Sequence, residues 1–237
     1  MNIVIPMAGR ASRFKEAGYE IPKPFIEING KPMVKWATDA ISFLDAKLIF
    51  IVLKEHVDSF QIDRKLKELY PDSTVIVSTG VTEGAACTVL LAKELIDNDE
   101  ELIVYNGDQY FEGAVREAVE SLPEDVVALI PVFKATHPRW SFAKADADGY
   151  VTEVAEKVPI SSNATVGLYY FKKGKDFVWA ANEMIRKDIR RNNEFYVCPV
   201  FNELVSRGDK IRIFRVSAMW GLGTPEDVEY FVKYYKG

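Results

Sequence analysis

The sequence predicts an α/β chain, a doubly wound mixed sheet with a small mixed lobe built from its second half. Three observations lead there. Through the first two-thirds, short runs rich in Val, Ile and Leu alternate with amphipathic stretches, the pattern of parallel strands joined by crossover helices. Beyond Pro131 the texture changes to short strands about a tight turn, which is hairpin spacing rather than crossover spacing. The 237 residues, 48% hydrophobic and 27% charged, supply a sizeable core and fit one domain rather than two full ones.

In chain order, strands are expected at 3–7, 47–53, 74–77, 102–106 and 126–133, each a continuous apolar run too short for a buried helix. Helices are expected between them, at 33–41, 58–69, 85–96 and 113–120. In the second of these, Phe60, Ile62, Leu66 and Leu69 fall near helical spacing with charged residues between. SFAKADADGYVTEVAEK reads as two strands about an Asp148-Gly149 turn, followed by a strand at 165–171. A helix at 176–189, a shorter one at 198–206, a strand at 210–216 and a last helix from Pro225 complete the chain. Thr224 and Pro225 make a good helix start, and Glu226 and Asp227 suit the positive end of its dipole.

Charge and cysteine content narrow the function. With 30 basic and 35 acidic residues the net charge is −5, which gives a polyanion such as nucleic acid no general attraction. Cys87 and Cys198 stand far apart and form neither a disulfide framework nor a four-ligand zinc site, so a reducing, cytoplasmic compartment is expected. MNIVIPMAG has no basic leader, and no apolar run reaches the roughly 18 residues that span a bilayer, so no membrane partner is expected.

The first expected strand runs straight into Ala8-Gly9-Arg10-Ala11-Ser12-Arg13-Phe14. Small side chains at the carboxyl end of a strand let backbone N–H groups approach a phosphate, and Arg13 and Lys23 supply the positive charge a triphosphate requires. The loop lacks the three glycines of a dinucleotide fingerprint and the Gly-Lys-Ser/Thr of a P-loop. An ordinary strand-to-helix turn with solvated cations is the plainer alternative. Lys23, held between Pro22 and Pro24 with its backbone restricted, weighs against it.

These segments, IPMAGRASRF and PKPFIEINGKPMVKW, resemble the sugar-phosphate nucleotidyltransferases, the pyrophosphorylases that make nucleotide-diphosphate sugars and related activated phosphates. The resemblance implies a Rossmann-like sheet of nucleotidyltransferase type within a single domain, 1–237, in which 1–134 binds the nucleotide and 135–237 forms the acceptor-binding lobe. It makes Arg13 and Lys23 the cations on the phosphates, with Ala8, Gly9, Ala11 and Ser12 in the nucleotide loop; Ala11 stands where the family usually has glycine.

Asp108 follows the expected strand at 102–106 on the same edge as that loop. Alone, an Asp after Gly is most often a turn or cap residue; the resemblance makes it the ligand of Mg²⁺, the ion that normally accompanies a triphosphate and takes one or two carboxylates. The family's second acid falls near Gly221, where this chain has no carboxylate, and Glu226 and Asp227 are explained more simply as first-turn capping residues. By the same resemblance Thr79, Glu83 and Gly84 contact the base, and Glu156, Lys157 and Gly167 contact the acceptor. Trp140, Glu194, Tyr196 and Trp220 are weaker candidates for the acceptor pocket, and His56 and His137 read as structural.

The implied activity is Mg²⁺-dependent transfer of a nucleoside monophosphate from a nucleoside triphosphate to a phosphorylated acceptor, a sugar 1-phosphate, giving an NDP-sugar and pyrophosphate for surface-polysaccharide precursors. Alternatives are a cytidylyltransferase using CTP and a choline-phosphate-like acceptor, a nucleotide-sugar-binding module without turnover, and a glycosyltransferase. The last is weakened because its Asp-x-Asp pattern, Asp146-Ala147-Asp148, falls in the expected hairpin turn. The base, the acceptor and a homo-oligomeric state stay open. Every enzymatic version requires Arg13, Lys23 and Asp108 to meet in one cavity.

Overall fold

A computed structural model describes residues 1–42 and 44–236. The first stretch contains β1 (Asn2–Met7), α1 (Ser12–Glu16), a 3-10 turn at Lys23–Phe25, β2 (Glu27–Ile28), β3 (Lys31–Pro32) and α2 (Met33–Asp39). β4 (Lys47–Leu53), α3 (Lys54–Phe60), α4 (Ile62–Leu69), β5 (Thr74–Ser78), α5 (Ala85–Leu90), α6 (Lys93–Ile96) and β6 (Leu102–Tyr105) follow. Next come β7 (Gln109–Glu112), α7 (Val115–Glu120), β8 (Val126–Lys134), β9 (Ser141–Ala145), β10 (Val151–Glu156), β11 (Asn163–Thr165) and β12 (Leu168–Phe171). α8 (Gly174–Arg186), α9 (Val200–Arg207), β13 (Lys210–Arg215), β14 (Ala218–Gly221) and α10 (Pro225–Tyr234) end the chain.

The central sheet runs β10-β9-β11-β8-β12-β6-β1-β4-β5, with β13 added alongside β8. β6, β1, β4 and β5 are parallel, and β12, β11, β9 and β10 run antiparallel to their neighbours, so the mixed α/β sheet expected from the sequence is the one that forms. Alternation along β1 shows why it is doubly wound. Val4 joins Ile49, Leu102 and Val104 in a core against α5, α8 and α9, while Ile3 and Ile5 join Phe50, Val52 and Ile103 in a second core on the opposite face, under α2 and α4. A third cluster, Phe14, Ile26, Ile28, Met33, Trp36, Leu222, Val228 and Phe231, fastens α1, the Lys23 turn and α10 together. Phe231 anchors it, edge-on to Trp36 at 4.9 Å and stacked on Tyr235 at 4.6 Å.

Three expected elements are interrupted. The helix expected at 58–69 begins earlier and divides into α3 and α4 at Gln61, which sits at φ +53°. The helix at 85–96 divides into α5 and α6. The strand at 165–171 breaks at Val166-Gly167, so that β11 pairs with the far half of β8 and β12 with its near half. A short ladder between β7 and β14 had no counterpart among the expected elements. Asp146 Oδ1 accepts hydrogen bonds from the N–H groups of Asp148 and Tyr150, so the Asp-x-Asp triplet closes the β9–β10 turn. No helix among the described residues is long and apolar enough to cross a membrane.

Candidate active site

β1 and β6 are parallel neighbours, so the loops leaving their carboxyl ends open on the same edge of the sheet. The loop after β1 reverses at Ala11, at φ 50° and ψ 48°, and then starts α1. Phe14 is thereby driven into the third core and Arg13 is left at the surface. A left-handed conformation costs an alanine about 1–2 kcal/mol. Lys23 opens the 3-10 turn between its two prolines, with its ammonium 5.7 Å from the centroid of the Phe14 ring.

Lys23 Nζ donates to Asp108 Oδ2 at 2.5 Å, and the two side chains retain only 21% and 29% of their exposure. Arg13, Lys23 and Asp108 line one cavity of about 340 Å³. A second cavity, about 200 Å³, lies beside it against Gly9, Ala11 and Gly107, and shares Lys23, Asn106 and Asp108 with the first. Of the other loop residues, Ala8 is buried and Ser12 is exposed, and both stand outside the two linings.

The loop after β5 is tied down rather than open. Thr79 is exposed, and Glu83 pairs with Arg190 at 2.6 Å. Gly84, at φ +138°, lies so close to Phe195 that a Cβ there would overlap the Phe195 backbone. The Phe195 N–H donates to the Glu83 carbonyl at 2.8 Å and the Ala86 N–H donates to the Phe195 carbonyl at 2.9 Å. Thr79, Glu83 and Gly84 line neither cavity, whereas Ala85 lines both.

On the acceptor side, Glu156 ends β10 as a buried side chain facing the larger cavity. Burial pushes its carboxyl above the ordinary glutamate range, opposed by a hydrogen bond donated from Ser141 Oγ. Lys157, at φ +55°, turns its ammonium onto Tyr196, donating to the phenol oxygen at 2.5 Å and lying 4.4 Å from the ring centroid. Tyr196 lines the larger cavity, and Lys157 stands behind it. Gly167 also lines it, at φ +72°, where a Cβ would collide with Gln109 Oε1. Trp140 is in the lining too, while Trp220 belongs to the aromatic cluster around Phe231.

Three further residues enter the site. Gln109 Oε1 is buried at the cavity and accepts no hydrogen bond from a described residue. Arg139, stacked 4.1 Å from the Trp140 ring centroid, donates from Nη2 to Asp227 Oδ1 at 2.6 Å, and both line the larger cavity. The capping reading of Asp227 holds only for its backbone: its N–H donates to Thr224 Oγ1 at 3.2 Å, and its carboxylate faces the cavity. Gln109 directly follows Asp108 in sequence. Arg139 and Asp227 lie 88 positions apart and carry no shared signal.

Asp108 offers hard oxygen donors of the kind Mg²⁺ prefers. Among the described residues no group of three or more His, Cys, Asp or Glu could hold a metal. A cation here would take one or two carboxylates from the protein and complete its shell with phosphate oxygens and water, which is the habit of Mg²⁺. The residues fit that ion.

The site is thus a cavity of about 340 Å³ at the carboxyl ends of parallel strands of an α/β sheet, lined by two cations and a carboxylate. The chain belongs to the nucleotidyl transferase family, whose model matches residues 3–227. It is similar to the bifunctional protein GlmU of Methanocaldococcus jannaschii, with 26% identity over 242 residues covering 99% of this chain and 54% of that protein. It is also similar to the UTP–glucose-1-phosphate uridylyltransferase AglF of Haloferax volcanii, with 24% identity over 239 residues covering 96% of this chain and 93% of that one. The chain spans about half the length of the GlmU relatives. Among solved structures, the nucleoside-diphosphate-sugar pyrophosphorylase from Vibrio cholerae RC9 has a TM-score of 0.81 at 28% identity, covering 98% of this chain and 99% of that chain. The inositol-1-phosphate CTP transferase from T. maritima, at 14% identity and a TM-score of 0.76, shares the fold.

Proposed function

We propose that this chain transfers a nucleoside monophosphate from a nucleoside triphosphate to a sugar 1-phosphate, with Mg²⁺ as cofactor, giving an NDP-sugar and pyrophosphate. One observation carries the reading: Arg13, Lys23 and Asp108 open on a single cavity, with Lys23 and Asp108 in direct contact. The nucleotide lies across the loop after β1, in the smaller cavity, with its phosphates at Lys23 and Asp108, which the two cavities share, and within reach of Arg13 in the larger one. The acceptor lies in the larger one, against Glu156, Gly167 and Gln109.

An oxygen of the acceptor phosphate attacks the α-phosphorus. A new P–O bond forms there as the bond to the bridging oxygen breaks, and pyrophosphate leaves in line. An ionised phosphate is already a nucleophile, so the protein contributes alignment and charge stabilisation rather than a covalent intermediate. Lys23 neutralises charge at the α-phosphate and Arg13 at the leaving pyrophosphate. Mg²⁺, when bound at Asp108, supplies further neutralisation of the phosphate oxygens. Gln109 Oε1 and the Glu156 carboxyl accept hydrogen bonds from acceptor hydroxyls, and Lys157 reaches the acceptor phosphate by swinging off Tyr196. The sugar assignment is supported by the names of AglF and the Vibrio cholerae protein, and by the unpartnered Gln109 oxygen, which needs a donor of the kind a hydroxyl supplies. The free cysteines Cys87 and Cys198 support the cytoplasm as its compartment.

The test incubates the protein with Mg²⁺, each common ribonucleoside triphosphate or dTTP, and a panel of sugar 1-phosphates and phosphorylated alcohols, and measures pyrophosphate. Release with one triphosphate and one sugar phosphate is expected, abolished by a chelator and restored by Mg²⁺. Release only with a phosphorylated alcohol overturns the sugar assignment. Nucleotide binding without release from any pair overturns transfer.

A further inference from the structure

We propose that Asp227 supplies the second carboxylate of the metal site, in place of a side chain at position 221, and that Arg139 holds that carboxylate until the metal takes it. This deepens the nucleotidyl-transfer reading and rests on it. Gly221 ends β14 without a side chain. A Cβ built there would meet Arg139 Nη2 and Trp140 Cη2, each at 3.1 Å, and the Asp227 carboxyl carbon at 3.5 Å. The Arg139–Asp227 ion pair and the Trp140 ring therefore crowd the position a side chain at 221 would take, and the carboxylate that reaches it comes from the first turn of α10.

Gly223 fixes the second relation. A Cβ there would lie 3.2 Å from Asp108 Oδ2 and 3.9 Å from Asp227 Oδ2, so oxygens of both carboxylates flank the same small gap. The segment that carries Gly223 is docked on Asp108, since the Leu222 N–H donates to the Asp108 carbonyl at 2.8 Å. Third, each carboxylate is matched by one cation, Lys23 at 2.5 Å and Arg139 at 2.6 Å. The Asp227 side chain keeps only 13% of its exposure, and a carboxylate so enclosed requires a partner.

A metal arriving with a triphosphate brings both signs of charge. Asp108 and Asp227 would hold the metal, and Lys23 and Arg139 would then be free to pair with phosphate oxygens, so that no charge in the gap is left unmatched. Asp227 is free for this exchange because the helix start is served by others. Thr224 Oγ1 accepts a hydrogen bond from the Asp227 N–H, and Glu226 stands beside it in the first turn. The rival description is a purely structural ion pair that clips α10 to the loop before β9.

The experiment titrates the intact protein with Mn²⁺ alone and follows the free ion by electron paramagnetic resonance. Asp227→Asn is expected to weaken Mn²⁺ binding by about tenfold or more, at least the loss seen when a supporting residue of a metal site is removed. Gly221→Asp combined with Asp227→Asn is expected to recover most of that loss. Arg139→Met is expected to tighten Mn²⁺, because a competing cation is gone, whereas a purely structural clip predicts a lower melting temperature and no tightening. Asp227→Asn with wild-type Mn²⁺ affinity overturns the inference. Should that variant misfold, Arg139→Met decides alone, and an unchanged or weaker affinity overturns it. Absence of pyrophosphate release from every substrate pair, with Mn²⁺ binding still dependent on Asp227, sinks the transfer reading and leaves this assignment standing.

Discussion

Replacing Lys23 with Met removes one positive charge while keeping most of the side-chain volume. In the free protein its contact with Asp108 is partly exposed, so losing the ion pair costs about 1 kcal/mol of stability at most. For a domain of this size that lowers the melting temperature by about 2–4 °C. In the proposed transfer the same ammonium faces charge building on the phosphates, in the cavity it lines with Arg13 and Asp108. Losing one fixed stabiliser in such a setting costs about 10²–10³ in kcat, or about 2.7–4 kcal/mol. The two effects separate cleanly: turnover falls at least about a hundredfold in a protein that stays folded. The assay is steady-state pyrophosphate release at saturating substrates, beside a thermal melt, with Lys23→Arg as a charge-retaining control. Turnover of Lys23→Met within about threefold of wild type, a barrier change below about 1 kcal/mol, would refute the assignment.

Other positions give independent checks. Ala11→Gly relieves a left-handed alanine worth about 1–2 kcal/mol and forfeits about 0.5–1 kcal/mol of chain entropy, so a net gain of about 0.5–1 kcal/mol is expected in the denaturant midpoint. Gly84→Ala drives a methyl into the Phe195 backbone and is expected to destabilise the fold by more than about 2 kcal/mol, read in the same titration. Burial raises the Glu156 pKa in the folded chain, so the native state binds that proton more tightly than the unfolded state does. Its contribution to stability therefore falls as pH rises from the ordinary value of 4.5 through the raised one. Glu156→Gln removes that fall, and its stability relative to wild type should increase between pH 4 and pH 8; a difference that does not change with pH contradicts the burial argument.

The parallel half of the sheet was legible because a strand buried on both faces is a continuous apolar run. LIFIVL within β4 and LIVY in β6 need no partner to be recognised. The interruptions were not legible. Gln61 adopts a left-handed conformation without being glycine or asparagine, and Gly167 breaks what reads as one strand because Gln109 and Asn106 crowd it from another part of the chain. The β7–β14 ladder joins segments more than a hundred residues apart and has no local signature.

The site divides in the same way. Arg13 and Asp108 follow β1 and β6, strands that the pattern identifies, so their common edge is legible from topology, whereas Lys23 sits in a turn beyond α1 and is singled out by its flanking prolines and the family resemblance. Arg139 and Asp227 acquire meaning only through their contact across the cavity, which no spacing encodes. The family resemblance puts Lys157 at the acceptor, yet at a positive φ its ammonium meets Tyr196, a detail of backbone geometry invisible in composition.

The two hydrogen bonds that fasten Phe195 across Glu83 and Ala86 reach further than local stability. The segment that continues from Phe195 provides Tyr196, Val197 and Cys198 to the wall of the larger cavity, while the residues it grips belong to the loop after β5. One joint thus ties the residues after β5 to that wall. A variant that repositions the 79–86 segment will drag the wall with it, so the two segments are mechanically coupled and must be redesigned as a pair.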